Sequence, residues 1–133
     1  MAHHKATRHY LFDMLKDQDG FSLPPGPVLP SPTTFLSALI AEVITDPSVQ
    51  KSKTIDGVFE VVRGNSNTKI DDIVMGAYGN KVTDTEAYTR SGIPRDKIWI
   101  VDPEGVVINQ GTRETTSYGE QATNVDILYP KIY

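Results

Sequence analysis

Apolar residues change their spacing several times along this chain, and each change marks an element. Between Thr7 and Lys16 the apolar positions Tyr10, Leu11, Met14 and Leu15 recur at i, i+1, i+4 and i+5. That spacing predicts a helix with one apolar face and with Arg8, His9, Asp13 and Lys16 turned outward. Asp17-Gln18-Asp19-Gly20 breaks the helix, and Gly20 suits a left-handed residue at its end. Leu23 to Pro32, LPPGPVLPSP, is proline punctuation around a very short edge strand, Val28-Leu29. Ser31 caps a helix with Pro32 at its first position. Phe35, Leu36, Leu39, Ile40, Val43 and Ile44 give that helix a core-facing stripe, and Asp46-Pro47 closes it. Lys51 and Lys53 open an amphipathic segment in which Ile55, Val58, Phe59 and Val62 mark a third helix, ending at Arg63-Gly64-Asn65. The tract GNSNTK at 64–69 is a loop.

The centre of the chain is GAYGNKVTDTEAY at 76–88. The apolar run Ile73-Val74-Met75 before it predicts a short buried strand, bounded by Asp71-Asp72 and Gly76. Thr83-Asp84-Thr85-Glu86 has the form of a capping box at a helix entrance, and Gly92-Ile93-Pro94 stops that helix. Gly79, Asn80 and Asp84 therefore fall in a tight turn from the carboxyl end of a strand into a helix. In open α/β sheets ligands bind there, in the crevice beyond the strand ends. Lys97 to Asp102, KIWIVD, is a second buried strand, Asp102-Pro103-Glu104-Gly105 a turn, and Val106-Val107-Ile108 a hairpin return. Gln110 to Glu120 reads as a polar, loose tail. Val125, Ile127, Leu128, Tyr129 and Ile132 form a last apolar cluster that docks on the core. Strands alternating with helices predict an α/β class with a largely parallel sheet.

Length and composition narrow this further. At 133 residues the chain is expected to form a single domain over 1–133, and 38% apolar with 23% charged residues is globular rather than disordered. A net charge of −4 leaves no basic footprint, so nucleic acid is not an expected partner. With no cysteine, thiol catalysis, disulfides and cysteine-ligated metals are excluded. No apolar run approaches the ~20 residues that span a bilayer, and no basic amphipathic helix is evident.

Two places carry candidate chemistry. The Asp84 carboxylate beside the Asn80 side-chain amide suits an oxygen-seeking cation such as Mg²⁺. On composition alone it is first the pattern of an ordinary first-turn acid favoured by the helix dipole, with Gly79 and Asn80 serving the turn. The second place is DQDG at 17–20, which imitates the DxDG nucleophile signature of haloacid-dehalogenase phosphatases. There the first Asp attacks phosphorus and the second moves the proton. Both sit at the end of a buried strand, whereas helical spacing precedes Asp17 and Asp19. The expectation is a helix-terminating turn, with Asp17 as nucleophile and Asp19 as acid kept as the lesser alternative.

Several pieces line up with one family. Thr7-Arg8, Tyr10-Leu11, Gln18-Asp19-Gly20, Leu23-Pro24, Gly26-Pro27, Ser31-Pro32, Phe35, Ala38-Leu39 and Glu42-Val43-Ile44 resemble the catalytic domain of the lipins, phosphatidate phosphatases of the haloacid-dehalogenase class. The likeness continues through Pro47, Lys51, GAYGNKVTD, Ala87-Tyr88, Gly92-Ile93-Pro94, Lys97-Ile98 and Asp102-Pro103-Glu104-Gly105. It reaches Ser117-Tyr118 and the segment from Val125-Asp126 to Tyr129-Pro130. The resemblance implies a haloacid-dehalogenase-like (Rossmann-like) sheet lacking its first strand or strands. It puts Lys51 at the third motif's lysine, which neutralises phosphoryl oxygens, with Lys53 as the fallback two residues on. It puts Asn80 and Asp84 on the metal-supporting GNxxxD motif, with Mg²⁺ as cofactor, and Gly79 beside the substrate. It implies phosphatidate or a related phospholipid as ligand, peripheral membrane contact, and a cytoplasmic location reaching to the endoplasmic reticulum or nuclear membrane. The DxDGT and serine motifs lie upstream of these residues, and DQDG aligns with a non-catalytic turn. A fragment, a half that pairs with a separate first half or with a second copy, and a degenerate copy are all compatible with that. Whether the chain is an enzyme or a non-catalytic phospholipid-binding module is left open at this point.

Overall fold

In a computed structural model of the chain, the residues described are 2–14, 16, 20, 23–24, 26–29 and 46–131. The chain forms two compact units, Met1–Ala38 and Leu39–Tyr133.

The first unit opens with helix α1, Ala2–His9, continued by a π-helical turn at Tyr10–Met14. The predicted helix is present and begins five residues earlier than the apolar spacing indicated. Gly20 has φ of +75° and donates its N–H to the Lys16 carbonyl at 2.9 Å, so it turns the chain in the left-handed region as expected. Residues 26–29 carry no strand, which corrects the expectation for Val28-Leu29. Pro24 and Pro27 remove backbone donors that a ladder needs. Asp17, Asp19 and the helix expected between Ser31 and Ile44 lie outside the described residues.

The second unit begins with helix α2, Pro47–Arg63. Asp46-Pro47 opens this helix, whereas its closing role for a preceding one falls outside the described residues. The Asp46 side chain accepts from the Ser48 N–H at 2.9 Å, and Pro47 at the first helical position has no N–H to leave unmet. Gly64, at φ of +56°, ends the helix where expected. Its buried face is built on Ser48 and Ser52, with Ile55 and Phe59 half-buried behind them; Val62, expected inward, is exposed. Ile70–Ile73 is a single helical turn, α3, and not the start of a strand. Its first-turn acids Asp71 and Asp72 favour a helix start, and Lys97 pairs with Asp71 at 2.6 Å. The strand lies four residues further on: β1 is Ala77–Gly79.

Helix α4, Val82–Arg90, follows β1 and ends at Gly92, whose φ is +92°. Strands β2 (Ile98–Val101), β3 (Val107–Asn109) and β4 (Thr115–Thr116) complete a sheet of order β1-β2-β3-β4. β1 runs parallel to β2, pairing Ala77 with Ile98 and Gly79 with Ile100. β2 with β3, and β3 with β4, are antiparallel. The α/β class is as expected; among the described residues its parallel component is the β1–β2 pair, because short hairpin turns connect β2 to β3 and β3 to β4. Ala87 on α4, Ile93, Ile98, Trp99 and Val107 form the buried apolar core.

The tail is more ordered than its polar sequence indicated. Asn109, 2% exposed, donates to the Asp96 carbonyl at 2.8 Å and accepts from the Gly111 and Thr112 N–H groups at 2.9 Å each. That network turns the chain into β4, and Ser117 then caps helix α5, Tyr118–Thr123. A last turn, α6, spans Val125–Leu128. Of the expected apolar cluster, Leu128 and Tyr129 are half-buried, Val125 and Ile127 are exposed, and Ile132 lies outside the described residues.

Candidate functional site

β1 ends at Gly79, and the chain must then reverse into α4 within two residues, Asn80 and Lys81. The first N–H groups of a helix have no partner inside it. Here Asp84, at the third helical position, supplies the acceptor: its Oδ2 takes the Asn80 N–H at 2.9 Å and the Lys81 N–H at 3.1 Å. The helix entrance therefore lies two residues earlier than the expected box at Thr83–Glu86, and Asp84 rather than Glu86 reaches back. The fit leaves no room for a side chain at 79, because a Cβ there would come within 2.5 Å of the Asp84 Cβ.

The other carboxylate oxygen of Asp84 faces α2. Its Oδ1 accepts from the Lys51 Nζ across 33 residues of sequence. Asp84 is 6% exposed, while the Lys51 side chain is 46% exposed. The ion pair is thus asymmetric, a buried carboxylate gripping a cation that still faces solvent. Burial pushes the Asp84 carboxyl up. The Lys51 hydrogen bond, the two backbone N–H groups and the Lys51 charge outweigh it, and the group stays ionised below the usual carboxylate range.

The approach of α2 to α4 that makes this pair possible depends on small residues. Ser52 Oγ and Ser91 Oγ lie 2.9 Å apart, the Ser91 hydroxyl also reaches the Ser52 carbonyl at 3.2 Å, and Arg90 donates to Ser48 Oγ at 3.3 Å. One turn beyond Asp84, the Tyr88 hydroxyl donates to the Tyr78 carbonyl on β1. On the other side of β1, the Tyr78 hydroxyl meets the Tyr129 hydroxyl and donates to Gln121 Oε1 at 3.0 Å. Burial raises the Tyr78 hydroxyl pKa, and the Tyr129 hydrogen bond raises it further. The strand that presents Asn80 is therefore held from α4 on one flank and from the C-terminal segment on the other.

The structure brings Lys51, Gly79, Asn80 and Asp84 together. Lys53 is exposed and enters no described hydrogen bond or ion pair. Tyr78, Tyr88, Gln121 and Tyr129 were not expected as site residues; Tyr88 carried a signal in lying one helical turn after Asp84, and Tyr129 was expected only as part of an apolar cluster. The first-turn role of Asp84, weighed against metal binding in the sequence, is what its hydrogen bonds describe.

Fold and site together define an α/β domain in which a cation, a side-chain amide and a helix N-terminus converge beyond the carboxyl end of a parallel strand. The chain belongs to the LNS2 (Lipin/Ned1/Smp2) family, whose model matches residues 1–130. It is 31% identical over 117 residues to phosphatidate phosphatase LPIN3 of Homo sapiens, covering 86% of this chain and 13% of that protein. It is 32% identical over 108 residues to phosphatidic acid phosphohydrolase 1 of Saccharomyces cerevisiae, covering 77% and 12%. To phosphatidate phosphatase PAH1 of Arabidopsis thaliana it is 32% identical over 126 residues, covering 93% and 13%. The chain thus spans about an eighth of the length of these relatives. The resemblance to the lipins drawn from the sequence is borne out.

Proposed function

We propose that the chain is the lysine-bearing part of a Mg²⁺-dependent phosphatidate phosphatase domain with a haloacid-dehalogenase-like fold, a single domain over 1–133. The reaction hydrolyses the phosphomonoester of phosphatidate, consuming one water and leaving diacylglycerol and inorganic phosphate. The observation that carries this reading is Lys51 held by Asp84 at the end of β1. A lysine ammonium has three N–H donors. Asp84 takes one, and the half-exposed side chain leaves the others available to a phosphoryl group. Charge placed in advance at that point favours the transition state, in which negative charge spreads over the phosphoryl oxygens. Asp84 is then a positioning residue, and Gly79 is required because only a residue without a Cβ lets it approach.

Mg²⁺ takes near-octahedral oxygen ligands. Both Asp84 oxygens are engaged, Asn80 offers one exposed amide, and the described residues include no group of three or more His, Asp or Glu that could hold an ion. These residues do not make a metal centre alone, so the ion's other ligands and the nucleophilic aspartates are proposed to come from sequence outside this chain. Within the proposal Asn80 contributes an oxygen and Asp84 its negative charge.

The same observation favours a second reading, a module that holds a phospholipid phosphate through Lys51 without cleaving it. Either way the proposed location is cytoplasmic and peripheral to the endoplasmic reticulum or nuclear membrane; among the described residues no helix is long and apolar enough to cross a membrane. The test is phosphate release from phosphatidate vesicles by the purified chain with Mg²⁺, with Asp17→Asn alongside. Neither is expected to release phosphate. Release that disappears in Asp17→Asn would make Asp17 and Asp19 the nucleophile and acid of a complete small phosphatase and overturn both readings.

A further inference from the structure

Away from Lys51, the N-terminal unit contains a cleft of about 550 Å³ with an unusual lining for a chain of net charge −4. Among the described residues, Lys5, Arg8 and Lys16 border it with one carboxylate, Asp13. Asp13 accepts from His9 Nδ1 at 2.9 Å, so its charge is directed at His9 rather than at the three cations. None of the three has an ion-pair partner among the described residues. Phe12 and the half-exposed Leu23 supply apolar surface in the same cleft. The Arg8 guanidinium lies 5.1 Å from the centre of the Phe12 ring, which fixes its fork beside that surface. Steps of three, four and four residues along 5, 8, 12 and 16 keep these side chains on one helical face. Phe12 and Asp13 sit in the π-helical turn, a conformation that recurs at functional sites.

The geometry points to a second anion site here, one that takes the headgroup phosphate of an anionic phospholipid at a membrane surface. Three cations with no ion-pair partner among the described residues recognise the phosphate charge, and the adjoining phenyl and isobutyl groups favour an amphiphile over a free phosphate. The sequence hid this surface because its cations are spread over three turns with Asp13 among them. The inference is independent of Lys51 and of the proposed chemistry.

The test is co-sedimentation of the full chain with phosphatidylserine vesicles, which present an anionic headgroup but no phosphomonoester for the Lys51 site. Binding is expected to exceed that to phosphatidylcholine and to weaken with salt. Arg8→Gln lowers it about fivefold, and the triple variant Lys5→Ala/Arg8→Ala/Lys16→Ala about a hundredfold, at about fivefold per cation. The charge-conserving Lys5→Arg/Lys16→Arg chain retains it. All three cations are exposed, and circular dichroism checks that helix content is kept. Equal binding to neutral vesicles, or undiminished binding by both Arg8→Gln and the triple variant, would overturn the assignment. Loss of binding in Lys51→Ala would move the contact to the other site, and full displacement by inorganic phosphate at matched ionic strength would make this a free-phosphate site. Failure of any of these leaves phosphate release, which reads the Lys51 chemistry, untouched.

Discussion

Replacing Lys51 by Met removes the cation and keeps much of the side chain's apolar length. Asp84 then remains 6% exposed with two backbone N–H groups and no counter-charge. A pair on the surface is worth about 0–1 kcal/mol, and breaking a fully buried one costs about 3–5 kcal/mol. With one partner buried and the other 46% exposed, the cost falls between these, at about 1–2 kcal/mol. Asp84→Ala removes in addition the acceptor of two N–H groups at a helix entrance, and should cost about 3–4 kcal/mol. The double variant should cost no more than Asp84→Ala alone, a coupling of about 1–2 kcal/mol. Urea unfolding followed through Trp99, buried in β2 and the single tryptophan of the chain, reads all four corners of the cycle. The contribution also has a pH signature. The Asp84 carboxyl is held below its ordinary value of 3.8, so the pair's stabilisation is fully present above that value. It disappears as pH falls through the lower folded-state value. Additive single costs, with coupling under about 0.3 kcal/mol, would refute the pairing as a stabilising link between α2 and α4.

Three further outcomes follow from the same packing. Gly79→Ala places a methyl 2.5 Å from the Asp84 Cβ and 2.7 Å from its Oδ2. Overpacking of this kind costs about 1–3 kcal/mol, and the Lys51–Asp84 coupling should shrink with it in the same urea titrations. Asn109→Ala removes the three hydrogen bonds of a buried side chain and should cost about 3 kcal/mol, with hydrogen exchange faster at Gly111 and Thr112 than in the sheet. Tyr129→Phe should cost about 1 kcal/mol. In an ultraviolet tyrosinate titration it should bring Tyr78 part of the way back toward its ordinary value, since burial, the first cause of the shift, remains.

Most of the site was legible because it is local. Gly79, Asn80 and Asp84 lie within six residues, and turn chemistry, an acid in the first helical turn and the stop at Gly92 each leave a mark on adjacent positions. The register of β1 was not, because Ile73-Val74-Met75 is as apolar as a strand while the acids before it start a helical turn instead. Nor was the order of the tail, where a single buried Asn109 supplies the hydrogen bonds that an apolar run supplies elsewhere. The partners of Tyr78 lie 43 and 51 residues away, and spacing carries no information at that distance. Lys51 is a mixed case. Its place in the chain was recognised by resemblance, yet nothing in the local pattern of α2, whose buried face is serine rather than leucine, announces that it turns toward Asp84.

The proposal that matters most is that Lys51, set by Asp84, supplies phosphoryl-binding charge to an active site whose nucleophile would come from outside this chain. Its most direct test mixes the purified chain with a separate polypeptide carrying a DxDGT strand of the family and measures Mg²⁺-dependent phosphate release from phosphatidate vesicles. No release is expected from either partner alone, release is expected from the mixture, and that release is lost when the chain carries Lys51→Ala. Release from the mixture that Lys51→Ala leaves unchanged would contradict it.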